Sequence, residues 1–513
     1  MASTVVQDKG TRYLITAAVM CAAIMQILDT TIVTVALPHM QGQLGTNATE
    51  ISWVLTSYLI SAGIFMPLTG FMTDRFGQRT YLVWSIIGFT IASMLCGLAA
   101  NLDQIVLFRL AQGVAGAGLL PTAQAILINL YPREERGKAM AIFGVGAMVG
   151  PIMGPTLGGY LTQILSWRWT FFINLPVGVL ALIGVWALVP ETEKKERRAD
   201  WIGFAFLVVA ISAMQFVFDR GQQMGWFSSH TIQIAAGLSV FGFICLILRN
   251  LEMGKDAIFD LRIFKDRNFA GAALLLSTFM FCMYGMLALQ PQMLETIFGY
   301  PTFTTGLVQA PRGAGSMLAM FLAGHLINRT GARPLMLAGI IITVSSSYVM
   351  TQYSLQTNEW WFIWPVIVQG FGLGMFFVPL ATATFATLSD EQTAEAAGIR
   401  QIARSIASGL GIAMASTVVA DQTQTAWNQM GGHLTSMSDA LAQRLNELHL
   451  SAQSPLTGPV LTRLLGQQAH FQGMMDAFLL LTAAAAAGLP ILLLLKKGVG
   501  RESGDQTPGF GEI

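Results

Sequence analysis

Charged side chains are scarce in this chain. Asp, Glu, Lys and Arg make up 11% of the 513 residues, whereas hydrophobic residues make up 53%. Soluble domains carry about 25% charged residues, so this chain has too little charge to cover a soluble surface. The formal net charge of +1 argues against nucleic acid as a partner, because phosphate binding needs a basic face. The composition therefore predicts an integral membrane protein.

Motifs for nucleotide and metal chemistry are missing as well. The chain has no G-x-x-x-x-G-K-[ST] loop and therefore no ATP site of that type. It has no H-E-x-x-H motif and no nucleophile elbow, and its six histidines are scattered. Cys21, Cys96, Cys245 and Cys282 all lie within apolar segments, where we expect them to pack as small hydrophobic side chains. We predict neither an enzyme nor a bound metal.

Long apolar segments make up most of the chain. A helix needs about 20 apolar residues to cross a bilayer, and fourteen segments fit this requirement. They lie near residues 13–39, 51–72, 81–99, 104–130, 138–163, 170–190, 201–218, 231–250, 270–292, 305–327, 334–352, 360–386, 397–420 and 474–495. The first is too long for the h-region of a signal peptide, and we expect it to be retained, with Pro38 near its outer end. The predicted fold class is an all-α integral membrane protein with fourteen transmembrane helices.

The basic residues are unevenly distributed among the loops. If both termini are cytoplasmic, 21 of the 29 Lys and Arg residues fall in the termini or the even-numbered loops, and four fall outside. Cytoplasmic loops carry the excess of basic residues. We therefore predict a multi-pass protein with both termini in the cytoplasm.

A charged motif occurs twice, each time between two apolar segments. The pattern G-x-x-x-[DN]-R-x-G-x-R spans residues 70–79 and recurs 254 residues later at 324–333. A second pair, Gln112-Gly113 and Gln369-Gly370, has an offset of 257. Repeats in the same order at nearly equal offsets indicate a duplicated transporter fold. We predict two pseudo-symmetric six-helix bundles.

Fourteen segments exceed two six-helix bundles by two. Segments seven and eight lie between the basic linker 191–200 and the mixed-charge stretch 249–267, so we interpret them as an inserted hairpin. The predicted division is an N-terminal bundle (1–190), a transmembrane hairpin with its linkers (191–268), a C-terminal bundle (269–496) and a cytoplasmic tail (497–513).

Two sets of residues are candidates for conformational gating. In the repeated motif, ion pairs of Asp74 with Arg75 and Arg79 would hold neighbouring helices together in one state only. Gly70 and Gly77 allow close helix approach and a tight bend; a simple topogenic basic loop is the alternative. These candidates are Gly70, Asp74, Arg75, Gly77, Arg79, Asn328, Arg329 and Arg333.

In segment five, glycines four residues apart favour close helix packing, and prolines kink a helix. We predict that Gly146, Gly150, Pro151, Gly154, Pro155 and Gly158 form a sliding or bending contact between the halves, with static packing as the alternative.

Three charged residues lie within apolar segments. Asp29 is costly in hydrocarbon and should face a cavity; we predict a proton carrier or a counter-ion for cationic substrates, with an acid snorkelling to the outer surface as the alternative. Arg109 has Val366 at the equivalent position of the second half, so we expect it to tune the proton affinity of Asp29 or to bind an anionic group, unless it only bridges backbone carbonyls. Arg312 either snorkels or faces the cavity, and in the cavity it would favour acidic substrates.

The remaining candidates concern the substrate and a partner. Aromatic and Met side chains suit greasy substrates of varied shape, although ordinary packing is the alternative for each of them. The predicted substrate-binding residues are Asp29, Gln26, Met25, Gln112, Arg312, Phe281, Tyr284, Gln290, Phe376 and Phe377. The loop 421–473 is far longer than its neighbours and has leucines at helical spacing near 441–448 and 461–465. We predict a short helical hairpin there, which docks a partner protein or packs on the transporter.

These motifs resemble those of the major facilitator superfamily. The 70–79 loop resembles the signature between spans two and three, 109–113 the span-four motif, and 146–159 the span-five motif of antiporters. Residues 28–38 and 167–176 are similar to the fourteen-span drug:proton antiporters of the EmrB/QacA type, and 219–227 and 259–269 are closest to the EmrB branch. Thr34 departs from the family, which more often has asparagine there.

The resemblance implies a proton-coupled multidrug efflux antiporter of the bacterial inner membrane, which exports hydrophobic or amphipathic toxic compounds by alternating access. It implies no cofactor, since the proton gradient supplies the energy. The implied partners are hydrophobic small molecules, protons, membrane lipid, a periplasmic adaptor protein of the EmrA kind and an outer-membrane channel. The alternative is a dedicated exporter of an endogenous molecule such as a siderophore or a fatty acid.

Overall fold

A computed structural model gives the structure of the protein. It describes residues 9–495 except 47, 67, 133–134, 193, 195–199, 255–260, 386, 388–389 and 433–456. Within these ranges the chain is helical and has no β-strand. The predicted all-α class is confirmed for the residues described.

The first helices are α1 (Lys9–Leu44), α2 (Ala48–Phe65), α3 (Leu68–Phe76), α4 (Gln78–Leu98), α5 (Leu102–Gly116), α6 (Leu119–Leu130), α7 (Arg136–Ile164), α8 (Trp169–Phe172) and α9 (Asn174–Leu188). Two more follow, α10 (Trp201–Arg220) and α11 (His230–Met253). The second part contains α12 (Arg267–Thr296), α13 (Thr302–Gln309), α14 (Pro311–Thr330), α15 (Ala332–Met350), α16 (Glu359–Phe385), α17 (Asp390–Gly432), α18 (Thr457–Ala486) and α19 (Gly488–Ile491).

Each of the fourteen predicted segments overlaps one or more of these helices. Among the described residues, eleven helical stretches are long and apolar enough to cross a membrane. Helices α2 and α3 meet at an angle of 58° and make a twelfth span if they are counted as one. The structure thus supports eleven or twelve spans, and the count of fourteen stays a prediction.

Separate apolar cores form in the two parts of the chain. In the first, α1, α2, α4, α6, α7 and α9 pack around side chains such as Phe89 and Leu127. In the second, α12 and α14–α18 contribute to two adjoining clusters, one around Phe376 and one around Phe478. Helix α10 joins a further cluster, in which Leu207 packs with residues of α2 and α17. The division into two six-helix bundles and an insert stays a prediction.

Three helices extend further than the sequence predicts. Helix α1 continues through Pro38 to Leu44, so Asp29 lies inside the helix and not near its outer end. Helix α17 has 43 residues, which is about 64 Å at 1.5 Å per residue, roughly twice the hydrocarbon thickness of about 30 Å. Helix α18 begins at Thr457. The described ends of the predicted loop 421–473 therefore continue spanning helices, whereas its segment 441–448 lies outside the described residues.

The repeated motif forms the same turn in both halves. Gly77 and Gly331 adopt φ angles of +89° and +80°, a region that favours glycine. A Cβ on Gly70 or on its counterpart Gly324 would meet nothing within 4 Å, so the expectation of close packing at Gly70 is wrong for this conformation.

The arginine of this motif has an unexpected partner. Arg79 Nε lies 3.2 Å from Glu191 Oε2, and Thr80 Oγ1 donates a hydrogen bond of 2.7 Å to the same oxygen. Glu191 begins the linker after α9, so Arg79 joins the turn of the first half to this linker, a contact that the sequence motif does not predict. Because this ion pair is partly exposed, it contributes little to stability by itself. The hydrogen bond from Thr80 and the tight turn at Gly77 add to its contribution.

The four candidate glycines of α7 face α1, not the second half: Gly146, Gly150, Gly154 and Gly158. A Cβ on Gly150 would lie 2.5 Å from Ile27 Cγ2 and 2.9 Å from the Ile27 carbonyl carbon, and one on Gly158 would lie 2.7 Å from the Ile32 oxygen. Thr31 Oγ1 also donates to the Gly150 oxygen at 3.0 Å. The predicted sliding contact between the halves is therefore wrong for these glycines, which instead bring α1 and α7 into close contact.

The contact between the halves uses the neighbouring residues of α7. A Cβ on Gly306 of α13 would lie 2.7 Å from the Pro155 oxygen. The carbonyl of Pro155 thus approaches the backbone of the second half, as the small-residue rule for membrane helices allows. Among the residues of this motif, Pro155 therefore contributes to the contact between the two halves.

Replacing Gly150 with alanine should destabilise the protein, because the methyl group would meet both the side chain and the backbone of Ile27. Overpacking of this kind costs about 1–3 kcal/mol. We expect Gly150→Ala to lower the melting temperature of the detergent-purified protein and Gly70→Ala to leave it unchanged or slightly raised, since alanine is the better helix former. Equal destabilisation by both variants would contradict the assignment of the glycine face.

Candidate functional site

Asp29 is fully buried in the first half, with 0% of its surface exposed. Its Oδ2 lies 2.5 Å from Arg109 Nη1. Its Oδ1 accepts hydrogen bonds from Gln112 Nε2 at 2.9 Å and from Asn174 Nδ2 at 2.8 Å. Both carboxylate oxygens are therefore satisfied by side chains of α5 and α9, and the alternative of a snorkelling acid does not fit this geometry.

Arg109 is held from several sides. Its Nε donates to the Val54 oxygen of α2 at 2.8 Å, and Nη1 also donates to Gln112 Oε1 at 2.8 Å. The guanidinium carbon lies 4.5 Å from the centre of the Tyr58 ring, a cation–π distance. The two roles considered for Arg109, pairing with the acid and bridging a backbone carbonyl, occur together.

A second layer orients the amide of Asn174. Asn174 Nδ2 also contacts Ser93 Oγ at 2.9 Å, and Ser93 Oγ donates to the Phe171 oxygen at 2.9 Å. The site thus joins α1, α4, α5 and α9. Sequence reasoning missed Asn174 and Ser93 as site residues, although a polar side chain at the start of an apolar segment is a usable signal.

The pair is stable only as a unit. Moving two charges out of water costs several kcal/mol per ion, and attraction offsets this only when the geometry is good and the remaining donors and acceptors are satisfied. Asp29 meets that condition. Arg109 Nη2 has no hydrogen-bond partner among the described residues, so the site retains one free donor beside the carboxylate.

The other predicted residues of α1 face elsewhere. Gln26 Oε1 accepts from the Leu120 nitrogen at 3.0 Å, where it satisfies a donor at the start of α6. Met25 is fully buried in the apolar core of the first half. The structure brings together Asp29, Arg109 and Gln112 and places Gln26 and Met25 outside this group.

A second polar cluster lies in the other half. Arg312 is 7% exposed and donates to Gln290 Oε1 and, at 2.7 Å, to Gln309 Oε1. Its Nε has no partner among the described residues. Burial raises the pKa of the Tyr353 phenol, and the nearby Arg312 only partly offsets this, so Tyr353 stays neutral near pH 7. Within the described part of the chain, this guanidinium has neutral partners where Arg109 has a carboxylate.

The repeat places polar side chains at equivalent positions in the two halves. Ser347 and Met350 lie 254 residues after Ser93 and Cys96, and Gln369 lies 257 after Gln112. Gln369 Nε2 donates to Ser347 Oγ at 3.2 Å, and Cys96 Sγ lies 3.7 Å from Gln112 Oε1. At these positions, each half therefore has a buried glutamine that contacts a small polar side chain.

The cavity beside Arg312 is small. It has a volume of about 10 Å³ and is lined by Gln290, Gln309, Tyr353 and neighbouring apolar side chains. Such a space holds at most one water molecule. A substrate group can reach Arg312 only in a more open conformation.

The predicted aromatic residues are divided between packing and polar roles. Phe376 is fully buried and stacks on Phe279 with 4.1 Å between ring centres, whereas Phe281 and Phe377 pack against the edges of the second-half clusters. Tyr284 Oη accepts from Arg404 Nη2 at 3.0 Å. Phe376 is thus a core residue here, and Tyr284 has a polar partner of its own.

Comparison with known proteins places this geometry in a family. Residues 19–412 match the family model of the Major Facilitator Superfamily. The match covers more than half of the chain, and the chain therefore belongs to this superfamily of membrane transporters, as its motifs indicate.

Its relatives lie in the EmrB branch. The chain is 34% identical to the multidrug export protein EmrB of Escherichia coli (strain K12) over 416 residues, 79% of this chain and 80% of that protein. It is 33% identical to the fatty acid resistance protein FarB of Neisseria gonorrhoeae over 482 residues, 93% and 94% of the two chains. A bacterial homolog of the human lysosomal transporter Spinster, solved in an inward-facing, occupied conformation, shares the fold with a TM-score of 0.63 at 17% identity, over 97% of this chain and all of that one.

Substituting Arg109 with glutamine should strand the Asp29 carboxylate in an apolar interior. Breaking a buried pair in this way costs about 3–5 kcal/mol, so we expect a large fall in the melting temperature of the purified protein. A second substitution, Asp29→Asn, removes the unpaired charge and should restore part of the lost thermal stability.

Arg168 provides the matched control. It too donates to a backbone carbonyl, that of Ala99 at 3.0 Å, and lies 4.3 Å from the centre of the Trp167 ring, but it has no acid partner among the described residues. Arg168→Gln should have a clearly smaller effect than Arg109→Gln. Failure of the double variant to recover any stability would contradict the account of a stranded charge.

Proposed function

We propose that the protein is a proton-driven antiporter that exports hydrophobic and amphipathic toxic compounds from the bacterial cytoplasm across the inner membrane. The observation that carries the proposal is the buried Asp29–Arg109 pair with Gln112 and Asn174. A carboxylate in the membrane interior marks a proton or ion path. The name of the relative EmrB, a multidrug export protein, supports the substrate class.

In the proposed cycle, Asp29 takes up a proton from outside and gives it up inside. Protonation neutralises Asp29 and leaves Arg109 without its counter-ion. The arrangement of helices that has the lowest free energy for the charged pair then no longer has the lowest free energy. The two halves then rock between an outward and an inward arrangement, and deprotonation restores the pair. A proton can drive the change only through such a difference in affinity between the two states.

Opening is part of this proposal, because Asp29 is fully buried in the present conformation. The Pro155–Gly306 contact between α7 and α13 is a boundary that has to move. The Arg79–Glu191 contact joins the first half to the linker that follows it, and the two would move together as a rigid body.

We further propose that the protein works as the inner-membrane part of a tripartite pump. Helices α17 and α18 are longer than a bilayer requires and pack together, with Trp427 beside Gly466. Their outer ends offer a periplasmic adaptor protein a rigid contact surface, and the adaptor would connect the transporter to an outer-membrane channel.

Proteoliposomes with an imposed pH gradient test the antiport. We expect the wild-type protein to move a hydrophobic cationic dye against its concentration gradient and Asp29→Asn to lose gradient-driven transport while it still binds the dye. The expected reason is that asparagine keeps the hydrogen bonds to Gln112 and Asn174 available but cannot exchange a proton.

Asp476 provides the matched control for this substitution. It is an acid within a spanning helix, where it accepts from Gln472 Nε2 at 3.2 Å, remote from the Asp29 cluster. Asp476→Asn should transport as the wild type does. Full transport by Asp29→Asn would refute the assignment of the coupling proton to Asp29.

One observation favours a second candidate function, the export of an endogenous acidic amphiphile such as a fatty acid. Arg312 is a buried cation with only neutral partners among the described residues, so an anionic substrate headgroup would compensate its charge. The relative FarB is named for fatty acid resistance.

Replacing Arg312 with glutamine distinguishes the two candidates. A charge-assisted hydrogen bond contributes about 1.5–3 kcal/mol, so Arg312→Gln should weaken binding of a fatty acid about tenfold or more and leave binding of a cationic dye within about twofold. Arg312→Lys keeps the charge and should retain much of the fatty acid binding. Equal loss for both ligands would indicate that Arg312 only stabilises the fold.

A further inference from the structure

A second cavity, of about 370 Å³, lies on the side of the first half. It is formed by α2, α5 and the end of α10, and its volume falls within the range of about 300–1,000 Å³ found for small-molecule sites. It is separate from the Asp29 cluster, and the transport cycle proposed above does not use it.

The wall of this cavity is apolar and its rim is charged. Trp53, Leu107 and Leu110 line it, together with Glu50, Asp103 and Arg220. Leu107 and Leu110 are 62% and 37% exposed, so they face the surroundings of the helix bundle. A cavity with an apolar wall and a charged rim is complementary to an amphipathic ligand.

The order of these residues along α5 gives the cavity a direction. Leu107 and Leu110 follow Asp103 by four and seven positions and therefore share its helix face. Leu110 lies about 10 Å deeper than Asp103 at 1.5 Å per residue. Asp103, Glu50 and Arg220 all stand at helix ends that the distribution of basic residues places outside, so the cavity runs from the outer membrane surface inward.

The rim carries charge of both signs. The Arg220 guanidinium carbon lies 5.1 Å from the centre of the Trp53 ring, which fixes the guanidinium at the edge of the apolar wall. Arginine suits a phosphate group, and the exposed carboxylate of Asp103 suits an ammonium group. A purely anionic headgroup would be repelled by Asp103, and a purely cationic one would be repelled by Arg220.

We propose that this cavity binds a phospholipid with a zwitterionic, primary-amine headgroup, of the phosphatidylethanolamine type, from the outer leaflet of the membrane. Its phosphate contacts Arg220, its ammonium contacts Asp103, and an acyl chain lies along Leu107 and Leu110. A primary ammonium donates hydrogen bonds to carboxylates, whereas the trimethylated amine of phosphatidylcholine does not. The lipid thereby joins the end of α10 to α2 and α5.

Native mass spectrometry of the full-length, delipidated protein tests this proposal with three lipids that share the same acyl chains: phosphatidylethanolamine, phosphatidylcholine and phosphatidylglycerol. We expect the wild type to bind phosphatidylethanolamine most tightly. Arg220→Gln and Asp103→Asn should each weaken that binding about tenfold. Leu107→Trp, which fills the cavity at an exposed position without changing any charge, should weaken the binding of all three lipids.

The chain offers matched controls at the same end of the molecule. Arg463 and Glu359 are exposed, and Arg463→Gln and Glu359→Gln should leave the lipid preference unchanged. Equal affinity for phosphatidylethanolamine and phosphatidylcholine would overturn the proposal, as would a preference for phosphatidylglycerol. Dodecylamine binding as tightly as phosphatidylethanolamine would overturn it too, because the ligand would then be a cationic amphiphile for which the phosphate plays no part.

Discussion

The burial of one carboxylate against one guanidinium governs the first half of this transporter. Asp29 and Arg109 are both fully buried, and neither charge is stable there without the other and without the amides that surround them. The requirement fixes how α1, α5 and α9 pack, because each contributes a group to the same small volume. Close contact between α1 and α7, which the glycines allow, holds the acid in place.

The two halves share a framework and differ in charge. Both hold a serine and a glutamine at equivalent positions of the repeat, but Arg109 of the first half pairs with an acid, whereas the described partners of Arg312 in the second half are neutral. The first cluster contains the buried carboxylate of Asp29, whereas the side chains that contact Arg312 in the described residues are neutral. We propose that this asymmetry assigns proton coupling to the first half and selection of substrate charge to the second.

Several features could be read from the linear chain because hydrocarbon makes polar groups costly. Asp29, Arg109 and Arg312 stood out against apolar segments, and all three prove to be buried and hydrogen-bonded. The positive-φ turns at Gly77 and Gly331 followed from the repeat. Asn174 was missed as a partner of Asp29, because its place 145 residues away in the chain depends on how α9 packs.

Hydropathy, charge distribution and repeats were enough to define a duplicated helical membrane transporter, since these properties belong to each segment on its own. The partners of individual side chains depend on which helix faces which, and no single segment contains that information. The glycines of α7 show the difference. Their spacing predicted a close contact with another helix, but only the packing of the helices shows that this helix is α1. In the same way, the motif marks Arg79 as a candidate for conformational gating, but its contact with Glu191 depends on the linker folding back onto the turn.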